Sequence, residues 1–410
     1  MKNLARRRAL FFAEAVSLAH VTRPLTLASC LPRDEWDVHF ASSNAYSFCL
    51  DAATFQRHRI ESITPETFLQ RLSAGAPLYA ATELRSYVEN DLELLDQLNP
   101  DIVIGDFRLS LAVSARLRKT RYLVLTNAHW SPYSARRAFP LPEHRSAHIL
   151  GVPLASLMFR LLQPIIFKLH AKPMNQVRAH YGLEPIHDLR NLYTEGDWTL
   201  YADTPRLVPT QDLPTYHRYI GPLIWSPAIA KPTWWNDVNA SKPTIYVTLG
   251  STGLVSLLPE VLAAMSDVEA NLLVATAGRL SLDRFPGNAR VADYLPGLDA
   301  AARANLVICN GGSASVYQAL SVGKPVLGIC SNMDQFLTMS YVEAAGAGRM
   351  LRAGQANGRT LRNAALTLLH TQAYTSAAKA IAEDFKTFDA SIEFQSVIND
   401  ALEAPQTVHV

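Results

Sequence analysis

The residues best suited to chemistry lie in the segment Asn310–Gln335, which reads NGGSASVYQALSVGKPVLGICSNMDQ. Two glycines, Gly311 and Gly312, follow a short apolar run, and the residues Ser313–Ser315 then lead into a predicted helix at Val316–Val322. The unpaired N–H groups of such a turn and the dipole of the helix converge on one point, where they attract an anion. The segment therefore predicts a phosphate-binding loop, with Asn310 at its first position.

Polar residues that could hold a sugar follow the next predicted strand, Pro325–Ile329. This strand is expected to bring Asp334 and Gln335 to the same sheet edge, where a carboxylate and a carboxamide match adjacent sugar hydroxyls. Gly250-Ser251 ends another predicted strand of this sheet. By itself it indicates an ordinary turn with Ser251 as a helix N-cap, but beside the phosphate loop it predicts a phosphate clamp. These groups together indicate a nucleotide-sugar site.

The first half of the chain offers a candidate acid–base pair. His20 lies between the first predicted strand and a predicted helix at Pro24–Leu31, and Asp106 ends the predicted strand Ile102–Gly105. An imidazole titrates near neutral pH and suits a general base for an acceptor hydroxyl, while a carboxylate could hold its other nitrogen. A lone histidine is more often structural, so the pair is a hypothesis. None of the 12 histidines has the paired spacing of a metal site, and no metal is expected.

Alternating apolar runs and helical stretches indicate the elements that would position these residues. Strands of the first half are predicted at Ala9–Ala13, Asp37–Ala41, Ile102–Gly105 and Tyr122–Leu125, and helices at Pro24–Leu31 and Leu84–Leu98. Strands of the second half are predicted at Thr244–Leu249, Leu272–Ala275, Leu306–Cys309 and Val326–Ile329, with a helix over 254–265. The fold class is therefore α/β, with two Rossmann-like domains that face each other across a cleft.

The proline-rich stretch Gly221–Pro243 has no clear period, so the domain boundary is expected within it. We predict an N-terminal domain at 1–225, an interdomain linker at 226–243 and a C-terminal domain at 244–410. The last helix is a candidate to pack back on the N-terminal domain.

The composition limits the class of protein and its partners. Of the 410 residues 49% are hydrophobic and 18% are charged, and the formal net charge is +2. This charge is too small to indicate a nucleic-acid partner. The N-terminal basic residues and the apolar run after them imitate a signal peptide, but Glu14 interrupts the run. A buried first strand in a cytoplasmic protein is the preferred interpretation.

The strongly apolar segment His148–Lys172 has two interpretations. It contains prolines and an arginine, and no run reaches the ~18 uninterrupted apolar residues of a membrane span. Helices in the core or between domains are the simpler interpretation. The alternative is the wall of an apolar acceptor pocket that contacts a membrane surface peripherally. Trp130 and Tyr133 add aromatic surface for a hydrophobic acceptor.

Nearly the whole chain resembles a known family, the two-domain GT-B glycosyltransferases, and in particular the UDP-glycosyltransferase-like enzymes that act on natural products and lipids. The matching motifs of the second half are YVTLGST (246–252), VADYLPGLDAA (291–301), NGGSASVYQAL (310–320), GKPVLGI (323–329), DQ (334–335) and EAAGAG (343–348). Those of the first half are SLAHVTRP (17–24), PDIVIGD (100–106), PMNQVRAHYGLEP (173–185) and YIGPL (219–223).

The resemblance implies an inverting transfer, without a metal or other cofactor, of a sugar from a nucleoside diphosphate to an acceptor held by the N-terminal domain. It implies that His20 deprotonates the acceptor and that Asp106 orients His20. The loop from Gly311 to Ser315, together with Ser251, would hold the donor diphosphate. Asp334 and Gln335 would bind the sugar.

The chain departs from the family pattern on the nucleotide side. Asn310 stands where the family usually has His, and Gln318 where it has a ribose-binding Glu. Tyr294 stands where the family has a base-stacking Trp, with Leu295 beside it, and Gly297 where a Gln often follows. Tyr294, Leu295 and Gln318 remain the candidate nucleoside-binding residues, and a UDP-sugar and a TDP-sugar are both open as donors.

Two alternatives to transfer remain at this point. One is a catalytically weak pseudo-glycosyltransferase that binds a partner protein, which Asn310 and Gln318 keep open. The other is a GT-B-fold nucleotide-sugar epimerase, although the chain has no carboxylate cluster suited to chemistry on the sugar itself. The sugar, the acceptor and the oligomeric state are left open.

Overall fold

The computed structural model describes residues 6–51, 53–136, 138–281 and 284–405, with the backbone alone for Arg145 and His148. Contacts divide the chain into two compact units. The first holds the described residues of Met1–Arg137, Leu157–Leu223 and Phe388–Val410, and the second those of Ala138–Ser156 and Ile224–Thr387.

This division differs from the predicted boundaries at 138–156, whose described residues lie with the second unit. There the guanidinium of Arg352 donates hydrogen bonds to the carbonyl oxygens of Leu141 and Pro142. This contact joins positions far apart in sequence, so no local pattern indicated it. Residues 388–405 lie with the first unit, where the ring of Phe394 packs 6.1 Å from the ring of Phe11, in agreement with the expectation for the last helix.

The first unit is built on a seven-stranded parallel sheet. Its strands are β1 (Arg7–Ala13), β2 (Trp36–Ser42), β3 (Gln56–Arg59), β4 (Ile102–Asp106), β5 (Arg121–Thr126), β6 (Trp198–Tyr201) and β7 (His217–Tyr219). They lie in the order β3-β2-β1-β4-β5-β6-β7. The helices up to residue 193 are α1 (Leu18–Cys30), α2 (Pro65–Ser73), α3 (Ala81–Leu98), α4 (Leu111–Arg118), α5 (Arg145–Leu150), α6 (Val152–His180) and α7 (Leu189–Tyr193). Of these, α5 and the start of α6, up to residue 156, are grouped with the second unit.

The second unit is built on a six-stranded parallel sheet. Its strands are β8 (Thr244–Thr248), β9 (Asn271–Ala275), β10 (Ala289–Ala292), β11 (Leu306–Cys309), β12 (Val326–Cys330) and β13 (Gly348–Arg352), in the order β10-β9-β8-β11-β12-β13. The remaining helices are α8 (Leu258–Met265), α9 (Gly297–Arg303), α10 (Ser313–Ser321), α11 (Met333–Ala344), α12 (Gly358–His370), α13 (Gln372–Phe385) and α14 (Ala390–Glu403). Single 3-10 turns lie at Ser47–Leu50, Ala128–Trp130, Thr233–Asp237, Val255–Leu257 and Ala353–Gln355.

Each sheet has a topological switch point. Its first three strands follow one another in one direction across the sheet, and the later strands are added on the other side of the first strand. In the first unit the switch lies between β1 and β4, where Ala13 pairs with Asp106. In the second it lies between β8 and β11, where Thr248 pairs with Cys309. Ligands of open α/β sheets bind beyond the carboxyl ends of the strands at such points.

The core of each unit lies between its sheet and the helices that cover it. In the first unit, buried apolar side chains of β1 and β4 pack against those of α3 and α4. In the second, buried side chains of β8, β9 and β11 pack against those of α8 and α12. The apolar runs of these strands are continuous because both faces of a parallel sheet are covered.

Every strand predicted from an apolar run is present. The sequence patterns missed five further strands, namely β3, β6, β7, β10 and β13. Four of them lie at sheet edges, where strands are short and carry polar residues, as in the Gln-Arg-His-Arg of β3.

The start of α1 corrects one expectation. The helix begins at Leu18, so His20 lies in its first turn and not in a loop before it, and Pro24 lies inside the helix. Proline usually marks a helix start, which is why the sequence placed the start at Pro24. Within α1 its missing N–H removes one hydrogen bond, to the carbonyl of His20 four residues earlier.

The structure also corrects the simpler interpretation of the apolar segment 148–172. The segment is helical, in α5 and α6, but much of it is not core. Leu161 is 71% exposed and Ile165 is 58% exposed. Among the described helices, α6 alone is long and apolar enough to cross a membrane by length and composition.

Candidate active site

The switch point of the first unit joins His20 and Asp106, as the sequence predicted. Asp106 is the last residue of β4, and His20 lies in the first turn of the helix that follows β1. Nδ1 of His20 lies 2.7 Å from Oδ1 of Asp106, in a hydrogen bond. The imidazole keeps 19% of its side-chain surface exposed, whereas the carboxylate keeps 1%. The pair therefore has one buried, fixed end and one end that a substrate could reach.

An arginine that the sequence analysis missed completes this pair. Arg23 lies three residues after His20 on α1. Its guanidinium donates two hydrogen bonds to the carboxylate of Asp106, from Nε to Oδ2 at 2.8 Å and from Nη2 to Oδ1 at 2.7 Å. Its Nη1 donates to Oδ1 of Asn127 at 2.6 Å. Asn127 in turn donates to Asp203 at 3.0 Å. The spacing of His20 and Arg23, which places both on one helix face, is the signal that could have found it.

These charges decide the protonation of Asp106. Burial opposes ionisation of the carboxyl group, but the charge of Arg23 and then that of His20 outweigh burial and hold the pKa of Asp106 below its usual value. Asp106 is therefore an anion at neutral pH and accepts a hydrogen bond from Nδ1–H of His20. This tautomer leaves Nε2 as the basic nitrogen.

One aromatic ring stacks on His20 and connects it to a cluster of further rings. The ring of Phe107, which follows Asp106, stacks on the imidazole with the ring centres 4.6 Å apart and the planes 13° apart. Phe107 has a φ of 59°, a left-handed conformation that non-glycine residues seldom adopt. Such strain is common beside functional groups, where surrounding structure enforces it. Here it turns the ring onto His20, which no sequence pattern indicated.

The two predicted acceptor-lining residues are placed differently. Trp130 belongs to the aromatic cluster, because its ring lies 5.0 Å from that of Tyr193, which lies 5.6 Å from that of Phe107. Tyr133 packs instead against His217, at 5.2 Å. Trp130 is thus connected to His20 through two rings, and no described ring contact joins Tyr133 to that cluster.

The switch point of the second unit brings together the two glycine turns. Gly250 follows β8 and Gly311 follows β11, and both have positive φ, 61° and 81°. A Cβ at position 311 would lie 2.6 Å from Sγ of Cys330, so both conformation and space require glycine there. The predicted proximity of the turns is correct because β8 and β11 are neighbours.

Asn310 ties these two turns together. Its side chain is 4% exposed. Its Nδ2 donates to Oγ1 of Thr252 at 3.1 Å, and its Oδ1 accepts from the amide of Gly312 at 3.1 Å. The asparagine therefore takes a structural role at a position where the family usually has His. The amide of Gly311 is also used internally, since it donates to Sγ of Cys309 at 3.3 Å.

After these internal bonds, the first turn of α10 is what remains of the predicted phosphate-binding loop. Gly312 is the N-cap of this helix and supplies no side-chain cap. Ala314 is exposed, Ser315 is half-buried and Ser313 is buried. Ser251 lies half-buried in the neighbouring turn after β8. A helix N-terminus whose N-cap residue has no side chain is the arrangement that the predicted phosphate site needs, because its N–H groups and its dipole attract an anion.

Asp334 and Gln335 follow β12, the neighbour of β11, in the first turn of α11. Asp334 is half-buried. Gln335 is 1% exposed and caps its own helix: its Oε1 accepts from the amides of Ser331 at 2.8 Å and Asn332 at 3.3 Å. Its Nε2 has no hydrogen-bond partner among the described residues. Of the carboxamide, only this buried donor end is left without a hydrogen bond among the described residues.

The candidate nucleoside residues lie around one segment, 294–297, after β10. Tyr294 is 38% exposed, and its hydroxyl donates to the carbonyl of Ala277 at 3.0 Å, whereas Leu295 is buried. Gln318 of α10 lies against this segment, because a Cβ at Gly297 would come 2.8 Å from its Oε1. Its Nε2 donates to the carbonyl of Trp225. Gln318 therefore lies beside the segment, but its amide nitrogen donates a hydrogen bond to the backbone of Trp225.

Within the part of the chain that the structure describes, no three His, Cys, Asp or Glu side chains lie together as metal ligands. Two Rossmann-like units, one with a His–Asp pair at its switch point and the other with glycine turns before a helix, agree with the GT-B class of transferases that the sequence resembles.

Comparisons with known proteins identify the family. Residues 259–395 match the family described as Erythromycin biosynthesis protein CIII-like, C-terminal domain. A PGL/p-HBAD biosynthesis rhamnosyltransferase of Mycobacterium bovis (strain BCG / Pasteur 1173P2) is 46% identical over 381 residues, which cover 93% of this chain and 84% of the relative. The chain therefore belongs to the UDP-glycosyltransferase-like family of GT-B enzymes, and it is a glycosyltransferase.

Solved structures agree with this fold. Spinosyn forosaminyltransferase SpnP aligns with a TM-score of 0.71 and 15% identity, over 98% of this chain and 100% of that chain. Spinosyn rhamnosyltransferase SpnG, complexed with thymidine diphosphate, aligns with a TM-score of 0.68 and 18% identity, over 96% of this chain and 100% of that chain.

Proposed function

We propose that this glycosyltransferase moves a sugar from a TDP- or UDP-sugar to a hydroxyl of an apolar small molecule or lipid, with inversion and without a metal, and that His20 is the general base. The observation that carries this proposal is the 2.7 Å hydrogen bond between Nδ1 of His20 and the buried, ionised Asp106. It leaves the opposite nitrogen of a partly exposed imidazole free to take a proton.

The reaction follows from these groups. Nε2 of His20 takes the proton of the acceptor hydroxyl while the oxygen of that hydroxyl attacks the anomeric carbon of the donor. The new carbon–oxygen bond forms on the face opposite the diphosphate, the old bond to the diphosphate oxygen breaks, and the configuration inverts. Asp106 stabilises the imidazolium through Nδ1–H, and Arg23 holds the carboxylate in place by two hydrogen bonds.

The second unit supplies the donor site in this proposal. The uncapped N-terminus of α10 would bind the diphosphate and stabilise the charge that develops as it leaves. Ser251, Ser313 and Ser315 add hydroxyl groups around it. Asp334 would accept hydrogen bonds from the sugar hydroxyls, and Gln335 would donate one through Nε2, the end that its helix cap does not use.

The relatives favour a particular donor. The M. bovis relative is named a rhamnosyltransferase, and the spinosyn rhamnosyltransferase is complexed with thymidine diphosphate. We therefore take TDP-rhamnose as the first donor to test, with other TDP- and UDP-sugars after it. For the acceptor, the ring of Phe107 on His20 and the rings of Tyr193 and Trp130 that continue from it favour a hydrophobic, aromatic surface.

Mass spectrometry of reactions that pair these donors with phenolic, polyketide and lipid acceptors tests the proposal. The expected product is the acceptor plus one sugar, with inverted anomeric configuration by NMR. His20→Ala and Asp106→Asn should lower kcat by about 10²- to 10⁴-fold, the usual contribution of general-base catalysis. His180→Ala, at an exposed histidine, is the control. A His20→Ala enzyme as fast as the wild type would eliminate His20 as the base.

A further inference from the structure

The exposed surface of α6 is unusually apolar. Six large side chains of this helix, all within the first unit, are between 43% and 71% exposed, namely Leu157, Met158, Leu161, Leu162, Ile165 and Leu169. Only 17% of the most apolar 18-residue window of α6 is buried. Single exposed apolar residues are ordinary, but a contiguous patch of this kind marks a binding surface.

The six side chains form one stripe. At 3.6 residues per turn they fall within an arc of roughly 140°, and the stripe from Leu157 to Leu169 is about 18 Å long. The opposite arc holds Phe167, Met174 and Val177, each at most 3% exposed. The helix is therefore amphipathic in an unusual sense, with one apolar face in the core and another in solvent.

The buried face anchors the helix to the first unit. Near the C-terminal end of α6, Arg178 donates hydrogen bonds to the carbonyl oxygens of Glu184 and Ala112. Two prolines, Pro164 and Pro173, lie inside the helix. A helix that spans a bilayer would have to withdraw its buried face from the core, so the geometry favours a helix that lies on a surface.

The charged side chains of α6 are all basic. Of its four basic residues, Arg178 is 4% exposed and lies 3.4 Å from a carboxylate oxygen of Glu195, which leaves Arg160, Lys168 and Lys172 at the surface. Lys168 and Lys172 are exposed and continue the arc of the stripe toward its C-terminal end. Lysines in this position extend an apolar stem along the surface and place the ammonium at its polar border.

We propose that this stripe of α6 binds the surface of a lipid bilayer that contains anionic lipids, with the helix in the interfacial plane. The leucine and isoleucine side chains enter the acyl region, and Lys168 and Lys172 contact lipid phosphates. A second copy of the chain fits less well, because it would set the exposed basic residues of one α6 against those of the other. The inference goes beyond the proposed function and does not depend on it, because membrane binding needs neither donor nor acceptor.

Vesicle flotation of the full chain tests this proposal. We expect the wild type to float with phosphatidylcholine vesicles that contain phosphatidylglycerol and to bind phosphatidylcholine alone at least tenfold more weakly. Leu161→Ser/Ile165→Ser should lose binding to both. Lys168→Gln/Lys172→Gln should bind the two kinds of vesicle equally, because only the electrostatic part is removed.

Matched controls separate membrane binding from misfolding and from self-association. Ile392→Ser replaces another apolar side chain, 65% exposed on α14, and should float like the wild type. Circular dichroism and thermal unfolding should be the same for all variants, since each replaced side chain is exposed. A wild type that floats with neither kind of vesicle overturns the proposal. So does a wild-type dimer in light scattering that Leu161→Ser/Ile165→Ser converts to a monomer without any change in flotation.

Discussion

Asp106 holds the guanidinium of Arg23 and the imidazole of His20 at once, and this arrangement places two charged groups beside His20. The carboxylate receives both arms of Arg23 and the Nδ1–H of His20. Asp203 lies at the far end of the chain of hydrogen bonds through Asn127. The imidazolium that forms during transfer is therefore held by a carboxylate that also contacts a guanidinium.

His217 should make the stability of the first unit depend on pH. Burial lowers its pKa to about 4, and its Nδ1 lies 2.6 Å from the hydroxyl of Tyr201. His217 takes up a proton near pH 6.5 in the unfolded chain but only near pH 4 in the folded chain. The free energy of unfolding therefore falls as the pH falls through this window. The linkage predicts that His217 contributes about 2 kcal/mol to the decrease between pH 7 and pH 5.

Urea unfolding of wild type and His217→Asn at these two pH values measures this contribution. The variant should lose less stability on acidification, because the asparagine does not titrate. His180→Asn, at an exposed histidine in the same unit, should retain the wild-type dependence on pH. Equal losses in wild type and His217→Asn would show that His217 does not titrate as its burial requires.

At the scale of elements, the N-terminus of α10 should affect binding and stability in opposite directions. Ala314 is exposed in its first turn, which has no side-chain cap. Ala314→Glu places a carboxylate where the helix dipole stabilises it, by up to about 1 kcal/mol, so the fold should be no less stable. The same charge repels a diphosphate. We expect TDP or UDP to bind at least tenfold more weakly, measured by calorimetry.

A matched variant is available within the same unit. Ala373 is exposed at the second position of α13, as Ala314 is at the second position of α10. Ala373→Glu should have the same small effect on stability and leave nucleotide affinity unchanged. Equal nucleotide affinity in Ala314→Glu and wild type would mean that the diphosphate does not bind at this helix.

At the scale of the whole molecule, the chain crosses to the second unit and returns to the first with α14. Phe394 of this helix is fully buried against Phe11 of β1, the strand at the switch point of the first sheet. Phe394→Ala should cost about 3–5 kcal/mol of unfolding free energy, as large-to-small core changes do. Ile392→Ala, at 65% exposure on the same helix, should change it by less than about 0.5 kcal/mol.

Chemical denaturation of the full chain measures both variants. Because the donor loops belong to the second unit, Phe394→Ala should still bind TDP or UDP at a denaturant concentration where the first unit has begun to unfold. A loss of nucleotide binding in step with the first unit would instead mean that the two units unfold together.

The sequence by itself determined the strands that carry the site and the glycine turns that follow them. The runs 9–13, 102–105, 244–249 and 306–309 are apolar because both faces of their sheets are covered, and Gly311 is required by a local positive φ. His20 and Asp106 could be paired from sequence because they follow strands that meet at a switch point.

Only the tertiary structure decided how the polar side chains are used. Arg23 completes the His–Asp pair, Asn310 joins two turns, and Gln335 caps its own helix. Each of these roles depends on which partner lies within about 3 Å, the reach of a hydrogen bond. A hydrophobic period identifies the face of a strand or helix, but it does not say which distant donor will meet which acceptor. Such partners are chosen by non-local packing, and therefore by the fold as a whole.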